Sequence, residues 1–144
     1  MVDETEVQKL SYQLQLQQSA GEAVRQQIQA IQANIVEIGS VIEAIKNLKK
    51  MKGDTLVPLG AGTFLSCPKP NTEKIIISIG ANLMVQKSPE EAVKMLEEKQ
   101  QKLSDALKAA QQDLEQIAKN IQDLTNKASL LVAEESKNVR SSEK

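Results

Sequence analysis

Three features carry residue types that chemistry could use: a glycine-rich stretch, one thiol and a scatter of carboxylates. Gly60-Ala61-Gly62-Thr63 has the small residues of a phosphate-cradling turn. A phosphate loop, however, needs Gly-x-x-x-x-Gly-Lys-Ser/Thr opening a helix, and a dinucleotide fingerprint needs a third glycine entering one. Here Phe64-Leu65 follows, which reads as a strand, so the glycines serve a turn through their permissive φ. Cys67 is the sole cysteine and precedes Pro68. A reactive thiolate needs an activating base or cation, and Lys69 is its one close cation, so the thiol reads as structural. A lone cysteine also excludes an internal disulfide and fits a reducing compartment. Glu97, Glu98, Asp105 and Glu115 are dispersed among lysine and glutamine, as on solvated helix faces. There is no histidine, which removes the commonest general base and a leading zinc ligand together. The sequence therefore predicts no catalytic, cofactor-binding or metal-binding residue, and a protein that is not an enzyme.

The elements that would have to position any site are unusual for a chain of 144 residues, which has room for one domain. With one Phe, one Tyr and no Trp, the side chains that fill a compact core are nearly missing. Charged residues make up 26%, which suits long solvated helices. The net charge of -1, with acids and bases interleaved, gives no electrostatic case for nucleic acid. Met1-Val2-Asp3-Glu4 has no basic segment or apolar run, so no signal peptide is expected. No apolar stretch is read as approaching the roughly 18 residues that span a bilayer, and a cytoplasmic protein is expected.

A first helix is expected from about residue 5, starting near Asp3 or Thr5, to about Lys52. Val7, Leu10, Leu14, Val24, Ile28, Ile31, Ile35, Ile38, Ile42, Ile45 and Leu48 fall on the 3-4 spacing of a coiled-coil seam. Gln17 and Gly21 are weak seam positions, so the outer third should be looser. Lys46, Lys49, Lys50 and Lys52 oppose the helix dipole, and Gly53 can terminate the helix. Ser88-Pro89-Glu90-Glu91 opens the second helix with an N-cap serine, a proline at the first position and a capping box. Its seam runs Val93, Leu96, Gln100, Leu103, Leu107, Ala110, Leu114, Ile117, Ile121, Leu124, Ala128, Leu131. Periodicity stops after Glu135, and 136–144 is expected to be a disordered tail. At about 1.5 Å per residue each helix would be around 70 Å long. Facing seams imply an antiparallel coiled-coil hairpin, with Leu48 near Val93 and Leu10 near Leu131.

Between the helices, Thr55 to Lys87 is β-rich and contains an echo. Leu59-Gly60-Ala61-Gly62-Thr63-Phe64-Leu65 is matched by Ile79-Gly80-Ala81-Asn82-Leu83-Met84-Val85. Each copy sets a Gly-Ala-(Gly or Asn) turn between apolar segments, the short-range signal of a β-hairpin. Strands are expected at about 55–59, 63–67, 74–79 and 82–87, joined by Lys69-Pro70-Asn71-Thr72. Pro58 and Pro68 belong at edges or bulges. The run Ile75, Ile76, Ile77, Ile79 suggests burial on both faces. Isolated two-stranded hairpins are marginal, and exposed edges recruit strands. The middle block is therefore expected to assemble with other subunits.

Some apolar residues lie off the seam. Tyr12 and Leu16 are four apart on the outward face of the first helix, and Leu130 and Val132 flank Leu131 on the second. Apolar residues exposed in ones and twos are ordinary. Clustered at the free helix ends with Leu14, they form a candidate adhesive patch for unfolded chains.

A long helix, tandem hairpins carrying Leu56-Val57-Pro58-Leu59-Gly60-Ala61-Gly62-Thr63-Phe64 and Ile77-Ser78-Ile79-Gly80-Ala81-Asn82, and a second long helix resemble the α-class subunit of prefoldin. The resemblance spans about residues 5–135 and is concentrated in 55–87. The second copy departs from the pattern, with Asn82 where family members often have Gly. What it implies is an archaeal-type cytosolic hexamer of two α-class and four one-hairpin β-class subunits. In that hexamer the hairpins build an intersubunit β-barrel platform. Coiled coils hang from the platform, hold non-native polypeptides at their tips without ATP and pass them to a group II chaperonin. Carried onto this sequence, platform assembly falls to Leu56, Val57, Leu59, Gly60, Gly62, Phe64, Ile75, Ile77, Ile79, Leu83 and Val85. Tip contacts are not a family motif. The client-binding candidates Tyr12, Leu14, Leu16, Leu130, Leu131 and Val132 come from the residue pattern. Alternatives are a homo-oligomeric or filament-forming scaffold and a coiled-coil adaptor for one folded partner.

Overall fold

The computed structural model describes residues 4–143. Helix α1 spans Glu4–Asn47 and tightens into a 3-10 turn, Leu48–Lys50. Four strands follow, β1 (Thr55–Gly60), β2 (Thr63–Cys67), β3 (Ile75–Gly80) and β4 (Leu83–Lys87), and then helix α2, Pro89–Ser142. The expected start at Asp3 lies outside the described residues. The chain forms two compact units, one of residues 1–32 with 105–144 and the other of residues 33–104, where the sequence reading has one domain.

In the first unit α1 and α2 run antiparallel through the predicted seams. Leu10 and Leu131 line one groove, and Gly21 lies against Ile117 further along. Seam positions from Leu10 to Ile28 on α1 are half-buried apart from Gly21, which is buried, and Ile31 is buried. Val7, placed on the seam by its spacing, is 48% exposed, because the helix has just begun there. Gly21 permits close approach. A Cβ built on it would meet the Ile117 Cγ2 methyl at 3.4 Å.

The second unit packs more tightly. Ile38, Ile42 and Ile45 are buried, and Ala92 is fully covered. Lys46 and Glu97 pair across the helices at 3.8 Å, and Lys49 and Glu90 at 3.1 Å. These are exposed pairs of small energetic weight. A hydrogen bond at its own backbone N–H, and after it the Lys49 ammonium, hold the Glu90 carboxyl below its ordinary value. The capping box at α2 forms as predicted. The Ser88 N–H donates to Glu91 Oε2 at 3.1 Å, and the Glu91 N–H donates to Ser88 Oγ at 3.2 Å. At the other end of the β block, α1 stops at Asn47, short of the expected Lys52. The Met51 N–H closes a 3-10 turn on the Leu48 carbonyl at 3.1 Å, a common way to satisfy terminal carbonyls. Gly53 then takes φ +79°, the left-handed turn expected of it.

Two readings are corrected. Helix α2 continues through Ser142, beyond the expected end at 135 and into the segment read as a tail. Loss of a seam does not break a helix: no proline or glycine follows Pro89 in α2. The Ser136, Ser141 and Ser142 hydroxyls donate back to the Val132, Asn138 and Val139 carbonyls at 2.9–3.0 Å, and Arg140 sits in the last turn, opposite in sign to the carbonyl end of the dipole. Secondly, the helix from Glu4 to Lys50 contains an 18-residue window of mean hydropathy 1.2, long and apolar enough by composition to cross a membrane. The isoleucines responsible lie on the seam. Ile38, Ile42 and Ile45 are buried against α2 within their unit, and Asn34, Glu37 and Glu43 lie beside them on exposed faces.

The glycine in the seam gives a test of this packing. Gly21→Ala gains about 1 kcal/mol of helix propensity, and the flexible Ile117 methyl has only to yield slightly. The melting temperature should rise by a few degrees. Gly21→Leu should lower it, because the larger side chain cannot fit at that approach. Thermal unfolding followed by circular dichroism decides, and a fall with Ala would show that the close approach itself is essential.

Candidate functional site

The β block forms two separate two-stranded antiparallel sheets, β1-β2 and β3-β4. Their registers repeat. Thr55 pairs with Cys67, Val57 with Leu65 and Pro58 with Phe64; Ile75 pairs with Lys87, Ile77 with Val85 and Ser78 with Met84. In each, the register shifts just before the turn, between Pro58 and Gly60 and between Ser78 and Gly80. The extra residue is Leu59 in one and Ile79 in the other. The two central residues of each turn have positive φ, Ala61 (50°) with Gly62 (76°) and Ala81 (50°) with Asn82 (59°), as do the preceding Gly60 (108°) and Gly80 (96°). This left-handed pair matches the strand twist of a tight hairpin. The Thr63 hydroxyl donates to the Gly60 carbonyl at 2.6 Å and ties the first turn shut. Gly60-Ala61-Gly62 is thus a turn between strands, and Asn82 belongs to the turn, which is why β4 begins one residue later than expected.

Alternation assigns the side chains to faces. Thr55, Cys67, Ile75, Ile77, Val85 and Lys87 are half-buried and share one face of their sheets. On the opposite faces Leu56 (64% exposed) lies with Phe64, and Ile76 (69%) with Met84. Leu59, Leu65, Ile79 and Leu83 are exposed as well. The expected burial of the isoleucine run on both faces does not occur within this chain, because no second layer covers Ile76. Leu65, Ile76 and Met84 are absent from the residues that the sequence suggested for assembly. The period of two pointed to them, since Ile76 stands between two chosen neighbours and has to face the other way.

The second candidate region lies in the first unit, where α1 begins and α2 ends. Val7, Leu10, Leu14, Leu124, Ala128, Leu131 and Val132 line an apolar groove of about 200 Å3, with Ser11 and Glu135 at its edge. Of the residues suggested from sequence, the structure brings Leu14, Leu131 and Val132 together here. Leu16 lines a separate, more polar hollow with Gln13, Gln17, Asn120, Asp123, Leu124 and Lys127. Tyr12 is 63% exposed; two residues from both Leu10 and Leu14, it points about 200° away from the seam. Leu130 and Val132 lie about 100° to either side of Leu131, on opposite flanks. The six candidates therefore do not make one patch. Val7, a seam position by its spacing, is half-exposed and lines the groove as well.

An antiparallel helix pair bridged by two tandem β-hairpins of matched register defines the class of fold. The Prefoldin family model, described as prefoldin subunit, matches residues 17–134. Relatives include prefoldin subunit alpha of Pyrococcus horikoshii, 32% identical over 126 residues, covering 85% of each chain. Prefoldin subunit alpha of Thermofilum pendens is 29% identical and covers 81% of this chain and 92% of its own. Among solved structures, filamentous PFD from Methanocaldococcus jannaschii superposes with a TM-score of 0.71 at 23% identity, over 81% of this chain and 98% of that one. The chain belongs to the prefoldin family.

The turns offer a direct check on the hairpins. Gly62→Val puts a β-branched residue at φ +76°, a strained conformation costing roughly 1–3 kcal/mol. It should lower the thermal stability of the protein and of any assembly made through β1-β2, whereas Asn82→Gly should leave both unchanged or slightly raised. Equal tolerance of both substitutions would mean that the first turn adapts freely.

Proposed function

We propose that this chain is an ATP-independent chaperone subunit in the cytoplasm, holding non-native polypeptides in its terminal groove and assembling through its hairpins. The observation that carries the reading is the pairing of two kinds of uncovered apolar surface. The hairpins expose aliphatic side chains on both sheet faces, more than isolated two-stranded sheets can sustain in water. Leu56, Val57, Leu59, Gly60, Gly62, Phe64, Ile75, Ile77, Ile79, Leu83 and Val85, with Leu65, Ile76 and Met84, are assigned to a shared β-barrel platform. Family membership supports a hexamer with four one-hairpin β-class subunits for two of this chain, and a group II chaperonin as recipient of the clients.

The groove suits unfolded chains because it is lined by aliphatic groups. Hydrophobic contact is non-directional, so a groove of this kind accepts many side chains. Val7, Leu14, Leu131 and Val132 are assigned as its client contacts, with Tyr12, Leu16 and Leu130 making contacts outside it.

Native mass and subunit composition of the tagged chain, purified gently from its own cells, test assembly. Two copies with four of a smaller one-hairpin partner are expected. A homo-oligomer would favour the scaffold or filament alternative. Client holding is tested separately, by suppression of aggregation of a chemically unfolded protein. Replacing Tyr12, Leu16, Leu130 and Val132 by Ser should weaken holding with assembly intact. Val7→Ser with Val132→Ser should account for the larger part, at about 1–2 kcal/mol per site, a roughly five- to thirty-fold change. Unchanged suppression in both variants would remove the tip assignment.

A further inference from the structure

Polar side chains interrupt the otherwise aliphatic seams at one place in each unit. In the first unit Asn120 Nδ2 donates to the seam residue Gln17 at Oε1 (3.3 Å), and the pair is part-buried. The Asn120 carbonyl oxygen in turn accepts from Gln116 Nε2 at 3.0 Å, which fixes the orientation of the amide. In the second unit the seam residue Gln100 donates through Nε2 to the Ile35 main-chain carbonyl at 3.2 Å. Gly39 lies four residues after Ile35 on the same face of α1. A Cβ built there would come within 3.4 Å of Gln100 Nε2, so the glycine keeps that carbonyl open to a donor from the other helix.

An aliphatic heptad seam is nearly degenerate in register. Sliding one helix by seven residues puts isoleucine and leucine opposite isoleucine and leucine again. A half-buried amide contact is not degenerate. A seven-residue slide sets Asn120 opposite Leu10 or Val24 in place of Gln17, and Gln32 or Lys46 beside Gln100 in place of Gly39, so the interhelix hydrogen bonds are lost at a desolvation penalty. We infer that the Gln17–Asn120 bond and the Gln100–Ile35 bond, for which Gly39 leaves room, are register locks, one in each unit. Gln17 and Asn120 act as positioning residues for the client groove, because they set which residues of α2 stand opposite Leu10 and Leu14. Only this last consequence rests on the chaperone reading; the lock itself is a property of the helix pair.

The test measures register directly in the full chain, in its assembled form and with Cys67→Ser. Spin labels at Gln13 and Lys127, which line one hollow with both amides, report the first unit by pulsed dipolar spectroscopy. Labels at Lys46 and Glu97 report the second. The unsubstituted amides should give one narrow distance at each pair. Gln17→Leu with Asn120→Leu should add a second population at the first pair, displaced along the helix by about 10 Å, one heptad, with the melting temperature unchanged or raised. Gln100→Leu should do the same at the second pair. The swap Gln17→Asn with Asn120→Gln keeps an amide pair and should restore the single distance. If the leucine variant proves misfolded by circular dichroism, Gln17→Ala with Asn120→Ala gives the same readout in a helix-favouring background. One unchanged distance in the folded apolar variants, or a second distance persisting in the swap, would overturn the assignment whatever the client-holding result.

Discussion

The burial of an aliphatic stripe from α1 against one from α2 is the interaction on which the rest of this molecule depends. The aromatic side chains are a lone phenylalanine, exposed in a hairpin, and a lone tyrosine facing water. Within each unit the helices hold one another, and only through this stripe do the strands and the terminal groove acquire fixed positions. The stripe is narrow, so it leaves the backs of the helices free for glutamine, lysine and glutamate. It also leaves nothing over to cover the sheets.

That division of labour explains why the β block is duplicated so closely. Each hairpin solves the same local problem with the same devices, a bulge before the turn and two left-handed residues in it. Neither buries both its faces, and the seam stripe of the helices is already taken up by the helix pair. A pair of such hairpins is a complete local structure and an incomplete tertiary one, the condition of a surface that finishes folding by association.

Much of this was legible in the residue order. Seam positions from Leu10 to Leu48 and from Val93 to Leu131 are covered, because a 3-4 spacing leaves little choice of face, although Ala92, the best-covered residue, lies just off the seam. The capping box at Ser88 and the paired turns were equally plain, since each depends on residues within four positions. What was not legible depended on longer range or on ends. Helix α2 outruns its seam because hydrogen bonding along a helix does not require one. The faces of Tyr12, Leu130 and Val132 follow from about 100° per residue, yet their nearness in sequence suggested one patch where there are several surfaces. Val7 fitted the spacing and is half-exposed for want of a helical turn before it. The partners of Gln17 and Gln100 lie on the other helix, and their pairing followed only once the register was known.

Only a few isoleucines of the seam are buried, retaining 7 to 9% of their surface, while most seam positions are half-buried, a narrow core with a thermodynamic consequence. The heat capacity of unfolding grows with the apolar surface newly wetted, and the curvature of the stability curve grows with that heat capacity. A lone chain built on a two-helix stripe wets little on unfolding, so its free energy of folding changes slowly across a wide span of temperature. The hairpin surfaces add their share only when association covers them.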